Sequence, residues 1–283
     1  MTKVAFLGLG AMGSRMAKNI LATGFDLAVW NRSEAAAKTL EAQGAISAKS
    51  PKEAAEGADV VVAMLTDDKA SESVWTSALT GMKKGAVAVE MSTLTPAWVA
   101  ELAQRAEAAG VKLLDAPVSG SRPQAEAKAL VIMTGGDAAA YEAAKPVLAA
   151  MGAPHHVGPT GTGAVYKLAV NALLGIQIAA WAELIAFFEQ NGVNPADAVA
   201  LIATMPVSSA SGGGMAKLMI ANDHAPRFTN ALLAKDFRYL QQTAATTSGK
   251  TPVSDVAAAI FASGAEKWGE ENVTAVVKLY ESK

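Results

Sequence analysis

Short apolar runs alternate with Ala-rich segments of helical periodicity along the first 150 residues. The helical segments cover residues 12–23, 34–43, 96–109 and 138–150, and the apolar runs between them are rich in β-branched residues. This alternation is typical of an α/β fold with a mostly parallel, doubly wound sheet. The predicted strands are Val4–Leu7, Leu27–Trp30, Val60–Leu65, Val87–Met91, Lys112–Asp115 and Leu130–Thr134.

The second half of the chain predicts helices without strands. The glycine-rich stretch Gly158–Gly163 ends the alternation, and a long apolar helical pattern then covers Ala164–Gln190. We therefore expect an α/β domain over residues 1–162 and an all-α domain over residues 163–283, joined by this long interdomain helix. Further helical patterns cover residues 195–204, 212–222, 230–247, 252–268 and 272–281.

The long helical pattern is apolar on nearly all sides, so we expect the helix to be buried all round. Other helices of the chain, or a second subunit in a homodimer or homotetramer, would cover it. Its uncharged part, Leu168–Ala182, is shorter than the about 20 apolar residues that a membrane span needs. The sequence thus predicts a buried helix here and no membrane partner.

Three glycines lie between the first predicted strand and the first predicted helix, in the run Gly8-Leu9-Gly10-Ala11-Met12-Gly13. In such a turn, the first glycine permits the sharp change of direction and the second lets backbone approach a pyrophosphate. The third lets the helix pack closely on the sheet, and the free N–H groups of the helix N-terminus attract the anion. The run therefore predicts a dinucleotide-binding domain.

The residues that follow the second predicted strand favour NADP over NAD. An acidic residue there would accept hydrogen bonds from the ribose hydroxyls and would repel a 2′-phosphate. This chain has Asn31, Arg32 and Ser33 instead. The Arg32 guanidinium is a permanently charged donor fork suited to phosphate, and Asn31 and Ser33 add neutral donors. The plain alternative is that Arg32 is a solvated surface charge.

Lys167 and Asn171 are candidate catalytic residues on the long helical pattern. They are spaced i, i+4 and therefore project from one face in an apolar context. Burial disfavours a charged ammonium, so we expect a lowered pKa for Lys167 and a capacity to exchange protons near neutral pH. Alternatively, the Lys167 stem packs on the core while its ammonium reaches water.

A carboxylate site is predicted where the run Asp115-Ala116-Pro117-Val118-Ser119-Gly120-Ser121 ends a strand. We expect a loop of small residues at the ligand-binding edge of the sheet, where the N–H groups of Ser119 and Gly120 and the Ser119 hydroxyl hold a carboxylate. A tight turn without function is the alternative.

Charge and composition exclude several classes of protein. The formal net charge of −2 and the absence of cysteine argue against nucleic-acid partners, disulfides, thiol nucleophiles and cysteine metal sites. The three histidines lack metal-ligand spacing. We expect a cytoplasmic protein, since the first strand leaves no room for a signal peptide.

Two other motif matches are interpreted as structural. Tyr141 and Lys145 match the spacing of short-chain dehydrogenases, but the glycine pattern differs from theirs. The run Gly249-Lys250-Thr251 suggests a phosphate loop but lacks both the upstream glycine and a preceding strand.

Taken together, the glycine motif, the run from Asp115, Gly161-Thr162-Gly163 before Lys167 and Asn171, and Lys235-Asp236 resemble the β-hydroxyacid dehydrogenase family. The resemblance covers essentially the whole chain. It implies a Rossmann domain, an all-α domain and the oxidation of a small β-hydroxyacid or the reduction of a carboxylated aldehyde.

The resemblance also implies roles for individual residues. Lys167 would be the acid/base and Asn171 its helper, while Ser119 and Gly120 would hold the substrate carboxylate. The remaining matches are Thr93 between cofactor and substrate, Leu65, Thr66 and Lys235 at the cofactor, and Phe228 and Asp236 closing the site.

Four features look most like the NADPH-dependent glyoxylate and succinic semialdehyde reductases. They are the segment Trp30–Ser33, Phe228, Asp236, and Ser121 at the position where the family more commonly has a second glycine after Gly120. A departure is the absence of a family glycine near Lys128.

Three alternatives share parts of this pattern. The 6-phosphogluconate dehydrogenases share the fold but have a much longer chain, with a histidine where this chain has Val170. An imine reductase generally replaces the lysine found here as Lys167. A non-catalytic NADP sensor would have no need for Lys167, Asn171 and the Ser119 loop together.

Overall fold

The structure is a computed structural model that describes residues 2–281. The chain divides into two compact units, Met1–Lys167 and Leu168–Lys283. Two hydrophobic clusters belong to the first unit and a third to the second.

The first unit is built on a nine-stranded sheet with the strand order β3-β2-β1-β4-β5-β6-β8-β7, in which β9 also pairs with β8. Strands β1 to β6 pair with one another in parallel, and β8 runs antiparallel to β6 and β7. The first six strands have the order of a dinucleotide-binding sheet. The strands are β1 Lys3–Leu7, β2 Asp26–Trp30, β3 Ile46–Ser47, β4 Val60–Ala63, β5 Val87–Glu90, β6 Lys112–Asp115, β7 Val118–Ser119, β8 Leu130–Gly136 and β9 Gly152–Gly158.

Both faces of this sheet are covered, which explains the continuous apolar runs. In β1, Val4 and Phe6 belong to the cluster on one face, while Ala5 and Leu7 belong to the cluster on the other. A strand buried on both faces loses the apolar and polar alternation of a half-exposed strand. The helices of this unit are α1 Gly13–Ala22, α2 Glu34–Glu41, α3 Pro51–Ala55, α4 Asp68–Ala78, α5 Pro96–Ala108, α6 Arg122–Glu126 and α7 Ala138–Ala149.

The predicted α/β class is confirmed, although three strands and three helices were missed. The strands β3 and β7 have two residues each, too few for a periodic pattern. The strand β9 has no buried residue and contains two histidines. The helix α4 begins after the Asp67 cap and is largely polar, and α3 and α6 are single turns.

The second unit is helical in all its described elements. The long helix α8 covers Thr162–Gln190, so it begins in the first unit and continues into the second. It is followed by α9 Pro195–Ile202, α10 Ala210–Ile220, α11 Asn230–Thr246, α12 Pro252–Trp268 and a 3₁₀ helix over Val273–Leu279. The buried rings of Phe237 and Phe261 stack with centroids 5.7 Å apart and join α11 to α12.

Within the single described chain, α8 is not buried all round, so complete burial would require a second subunit. Leu173 is 61% exposed and Phe187 is 55% exposed, and both lie on one stripe of the helix that the described residues leave uncovered. The helix is long and apolar enough to cross a membrane by length and composition, but buried core helices pass the same test. Half of its most apolar window is buried inside the protein.

Candidate active site

The first two glycines of the motif differ in what they touch. Gly8 has φ +95°, and a Cβ atom there would lie 2.4 Å from the Met64 carbonyl oxygen. A side chain at Gly10 would meet no protein atom within 4 Å. Gly8 is therefore required by the fold, whereas the space at Gly10 is open to a ligand.

Gly13 brings the start of α1 against the glycine loop. A Cβ atom at Gly13 would lie 2.0 Å from the Gly8 carbonyl oxygen, so only glycine fits. Within residues 2–281, the amides of Gly10, Ala11 and Met12 donate to no protein acceptor. Free N–H groups at this end of a helix can hold the oxygens of a pyrophosphate.

The end of β2 contributes two different functions through neighbouring residues. The Asn31 Oδ1 accepts the Leu9 N–H at 2.9 Å, and the Asn31 amide donates to the Ser33 carbonyl oxygen at 2.9 Å. Asn31 therefore shapes the glycine loop from outside. Arg32 is exposed and forms no ion pair in the described part of the chain, so its guanidinium is available to an anion.

The turns after β4 and β5 are joined by a side-chain hydrogen bond. The Leu65 N–H donates to the Ser92 Oγ at 2.7 Å. Leu65 also contacts the glycine loop, since its Cδ2 lies 2.9 Å from where a Gly8 Cβ would stand. Thr66 is exposed and Thr93 is half-buried on these two turns. Two predicted cofactor residues, Asn31 and Leu65, thus contact the glycine loop, which contains a third, Leu9.

Glu90, the last residue of β5, is a buried carboxylate beneath these turns. It is 1% exposed, and burial raises the pKa of its carboxyl above the usual range. Its Oε2 accepts the Ser71 hydroxyl at 2.6 Å and the Trp75 indole N–H at 2.8 Å, and its Oε1 accepts the N–H and hydroxyl of Ser92. Sequence reasoning missed this residue, although a charged side chain ending a fully apolar strand was a visible signal.

Asp115 fixes the start of α8 to the end of β6. Its carboxylate accepts the Gly161 N–H at 2.7 Å and the Ala164 N–H at 2.8 Å. A Cβ atom at Gly163 would lie 2.6 Å from the Asp115 carbonyl oxygen, so the helix approaches the strand closely. Burial is the main cause that raises the pKa of Asp115 to about 6, against these N–H donors, which lower it.

Ser119 is the last residue of the short strand β7, which follows Asp115 in the chain, and Gly120 comes directly after it. Contrary to the expectation of a loop, Ser119 belongs to β7 and pairs with Val131 of β8. The neighbouring residue Val118 is buried and pairs with Ile132 of β8, so the burial of Val118 favours strand pairing at this point. Gly120 has φ +124° and leaves the strand, where a Cβ atom would lie 2.9 Å from Leu130 Cδ2.

Lys167 lies on α8 less than two turns after the Asp115 contacts and is half-buried. Asn171 follows one turn later and is 4% exposed. The Asn171 amide donates to the Asp236 Oδ2 at 2.6 Å, and the Lys235 ammonium lies 3.1 Å from the Asp236 Oδ1. The structure therefore brings together three predicted residues, Asn171, Lys235 and Asp236, as a buried cluster between α8 and α11.

A close approach of the two helices makes this cluster possible. A Cβ atom at Gly175 would lie 2.6 Å from the Phe237 ring, so glycine lets α11 pack directly on α8. The Lys235 ammonium also lies over the Tyr239 ring, 4.9 Å from its centroid. Tyr239 was not predicted, although its i, i+4 spacing from Lys235 was readable.

Phe228 is half-buried just before α11, and its backbone is held by the C-terminal segment. The Phe228 N–H donates to the Asn272 Oδ1 at 3.1 Å, and its carbonyl oxygen accepts the Val273 N–H at 2.9 Å. No three His, Cys, Asp or Glu side chains within residues 2–281 cluster so as to hold a metal ion.

Two family models cover the chain. The NAD-binding domain of 6-phosphogluconate dehydrogenase matches residues 3–166, and the NAD-binding model of NADP-dependent 3-hydroxyisobutyrate dehydrogenase matches residues 161–280. A 3-hydroxyisobutyrate dehydrogenase from Pseudomonas aeruginosa is 34% identical, with 100% of both chains covered. The chain belongs to the β-hydroxyacid dehydrogenase family.

Other members of the β-hydroxyacid dehydrogenase family match nearly all of this chain. An NAD-dependent L-serine dehydrogenase from P. aeruginosa is 33% identical over 99% of this chain and 98% of its own. A chloroplastic glyoxylate/succinic semialdehyde reductase from Arabidopsis thaliana is 31% identical over 97% of this chain and 78% of its own. These relatives are dehydrogenases and reductases of β-hydroxyacids, and some of them are NAD-dependent, so family membership does not distinguish NADP from NAD.

Solved structures confirm the Rossmann sheet and the helical C-terminal region. A Mycobacterium tuberculosis 3-hydroxyisobutyrate dehydrogenase with L-serine superposes with a TM-score of 0.92 at 29% identity, covering 100% of both chains. The glycine loop of this β-hydroxyacid dehydrogenase fits a dinucleotide, because Gly10 is open and the amides around it are free.

Proposed function

We propose that the protein is an NADP-dependent oxidoreductase that interconverts a small carboxylated aldehyde and the corresponding hydroxyacid. Membership of the family supports the reaction class. The observation that supports the proposal most is the link from Asp115 to α8, because it joins the first turn of the Lys167 helix to the end of β6, shortly before Ser119 and Gly120 in the chain.

The cofactor residues of the proposal lie around the glycine loop. The free amides of Gly10, Ala11 and Met12 would hold the pyrophosphate, and the unpaired Arg32 guanidinium would hold a 2′-phosphate. NADPH, when bound, supplies the hydride. The exposed position of Arg32 and the absence of an acidic residue after β2 support NADP over NAD.

The proton and the carboxylate are assigned to this chain's own side chains. The Lys167 Nζ would give a proton to the forming alkoxide oxygen in reduction and remove it in oxidation. Ser119 and the backbone amide of Gly120 would hold the substrate carboxylate. Asn171, one helical turn after Lys167, is fixed by Asp236 and would orient the oxygen that accepts the proton.

The substrate class in the proposal is a small aldehyde acid such as glyoxylate or succinic semialdehyde. The resemblance of the Trp30–Ser33 segment, Ser121, Phe228 and Asp236 to that reductase branch supports it. The buried Asp236 and Lys235 neutralise each other, so the cluster adds no net charge beside Asn171.

We further propose a cytoplasmic homodimer or homotetramer without nucleic-acid or membrane partners. The support is the exposed apolar stripe of α8, which contains Leu173, Leu184 and Phe187 and which a second copy would cover. The absence of cysteine supports a reducing compartment.

The deciding experiment follows NADPH absorbance at 340 nm, the nicotinamide band, with a panel of aldehyde acids: glyoxylate, succinic semialdehyde, the semialdehydes of methylmalonate and tartronate, and sulfolactaldehyde. Oxidation of NADPH with at least one of them, absent without substrate, supports the proposal. Binding of NADPH with no oxidation by any aldehyde acid would leave a sensor, and oxidation only with cyclic imines would identify an imine reductase.

A further inference from the structure

The Glu90 carboxylate has no role in the proton transfer proposed above, yet it is the most deeply buried acid beside the glycine loop. It is 1% exposed and pairs with no cation in the described part of the chain. Burying a carboxylate without a cation is unfavourable unless hydrogen bonds replace its water shell. Four donors do so here, from Ser71, Trp75 and Ser92.

The directions of these hydrogen bonds follow from the partners of the two serines. The Ser92 Oγ accepts the Leu65 N–H, and the Ser71 Oγ accepts the Trp98 indole N–H at 2.9 Å. Each hydroxyl proton is therefore directed at Glu90. Every neighbour donates to the carboxylate, so these hydrogen bonds favour its ionised form and oppose the burial that raises the pKa of Glu90.

The carboxylate at position 90 binds and orients polar neighbours, which an apolar residue would not do. An apolar side chain of similar size would satisfy the core without the desolvation penalty. Only an acceptor with several lone pairs can orient Ser92 and at the same time hold Ser71 and Trp75 of α4. Glu90 thereby determines where the Ser92 oxygen stands.

Ser92 influences the position of the glycine loop through Leu65. Its Oγ holds the Leu65 amide, and the Leu65 side chain and the Met64 carbonyl press against Gly8. A second connection joins the same two turns, because the Asp68 carboxylate accepts the N–H and hydroxyl of Thr95 at 3.0 and 2.6 Å. The Gly8 end of the glycine loop is therefore held by the turns after β4 and β5, whereas Leu9 is held by Asn31.

We propose that Glu90 is a positioning residue for dinucleotide binding, acting through Ser92 to hold the Leu65 turn against the glycine loop. The inference rests on the proposed function only in requiring that a dinucleotide binds. It assigns to Glu90 and Ser92 an effect on cofactor affinity that a purely structural role would not produce.

The test compares Glu90→Gln and Ser92→Ala with the wild-type chain. Glutamine keeps the shape but turns an N–H₂ group toward donors, and alanine removes the link to Leu65. Tyr141→Phe is the matched control, because it removes a buried hydroxyl of the same unit that donates to the Pro154 carbonyl at 3.0 Å. For each chain, Tm and the Kd for NADPH are measured, the latter by nicotinamide fluorescence well below Tm.

We expect Glu90→Gln and Ser92→Ala to raise the Kd by about tenfold, equivalent to about 1.4 kcal/mol. Tyr141→Phe should lower Tm while its Kd stays within about twofold. With a substrate from the panel, the KM for NADPH should rise in both variants and kcat should change by less than about threefold. A folded Ser92→Ala chain with the wild-type Kd overturns the proposal, and this variant decides the matter if Glu90→Gln does not fold.

The two proposals fail in different ways. A wild-type chain that binds NADPH but reduces no aldehyde acid overturns the proposed function and leaves the affinity comparison intact. A wild-type chain that binds neither NADPH nor NADH overturns both.

Discussion

The Oδ2 of Asp115 accepts the backbone N–H of Ala164 at 2.8 Å and so ties the end of β6 to the first turn of α8. The chain leaves β6 at Asp115 and reaches Ser119 at the end of the next strand, β7, while α8 continues to Lys167. One carboxylate therefore relates the predicted substrate-binding residues to the predicted acid/base within a single compact unit.

We expect Lys167→Ala to lower kcat by about 10²–10⁴-fold, the contribution typical of a positioned acid/base. The Kd for NADPH should stay within about threefold, because Lys167 is not part of the glycine loop. Lys145→Ala is the control, since this exposed lysine belongs to the rejected Tyr141–Lys145 match and, within residues 2–281, pairs only with Glu142 among charged groups. Undiminished turnover in Lys167→Ala would remove the acid/base assignment.

Arg32→Ala should weaken NADPH binding by about 10- to 100-fold, the range for losing hydrogen bonds to a charged group. The Kd for NADH should change by less than about threefold, because NADH has no 2′-phosphate. Titrating both nucleotides against wild type and variant measures this difference. Equal losses for the two nucleotides would contradict the preference for NADP.

Asp115 predicts a specific dependence of stability on pH. Its pKa is about 6 in the fold, against 3.8 as the ordinary value. A raised pKa gives stability that is fully present below about pH 4 and is lost as the pH rises through 6, by about 3 kcal/mol in all. The gap in unfolding free energy between wild type and Asp115→Asn should therefore shrink from pH 4 to pH 7.

Denaturant titration of both chains across this pH range checks the trend for Asp115. A gap that widens with pH would mean that the N–H donors outweigh burial and that the folded pKa lies below the ordinary value.

Lys128→Gly should stabilise the first unit. Lys128 has φ +56°, a left-handed conformation that costs a residue with a Cβ atom about 1 kcal/mol. Removing that cost should raise Tm by about 2 °C. Lys128→Ala keeps the Cβ atom and should leave Tm unchanged, so thermal melts of the three chains separate backbone strain from loss of the side chain.

The positive φ of Lys128 also explains a departure seen in the sequence. The family resemblance placed a glycine near this position, and the backbone has kept the conformation that glycine favours. The sequence alone could show the missing glycine but not whether the loop had changed shape to suit lysine.

Local patterns predicted most of the Rossmann sheet, because β1, β2, β4, β5 and β6 are buried on both faces and are therefore continuously apolar. The strands β7 and β9 could not be predicted in this way. Their pairing is determined by β8, which lies at a distance in the sequence, and Ser119 shows how a residue expected in a loop is drawn into a strand.

The candidate site shows the same division. Gly8, Gly13 and the cluster of Asn171 with Asp236 involve positions that motif and spacing had already indicated. Besides the nearby Ser92, Glu90 binds Ser71 and Trp75, which lie 19 and 15 residues away along the chain. The capping role of Asp115 depends on Gly161 and Ala164, which lie 46 and 49 residues away, so local spacing does not predict these contacts. The exposed stripe of α8 was missed for a related reason, since apolar composition gives no information on which side remains uncovered.

The hydrogen bonds of Asn31 have a practical consequence for redesigning coenzyme preference. Its amide joins Leu9 to Ser33, whereas the neighbouring Arg32 side chain is tied to neither. Asn31 therefore shapes the loop, and the proposed recognition of the 2′-phosphate is assigned to a separate, adjacent residue. If Arg32 selects the nucleotide as proposed, a library that varies position 32 and retains Asn31 should change the nucleotide preference while keeping the turn.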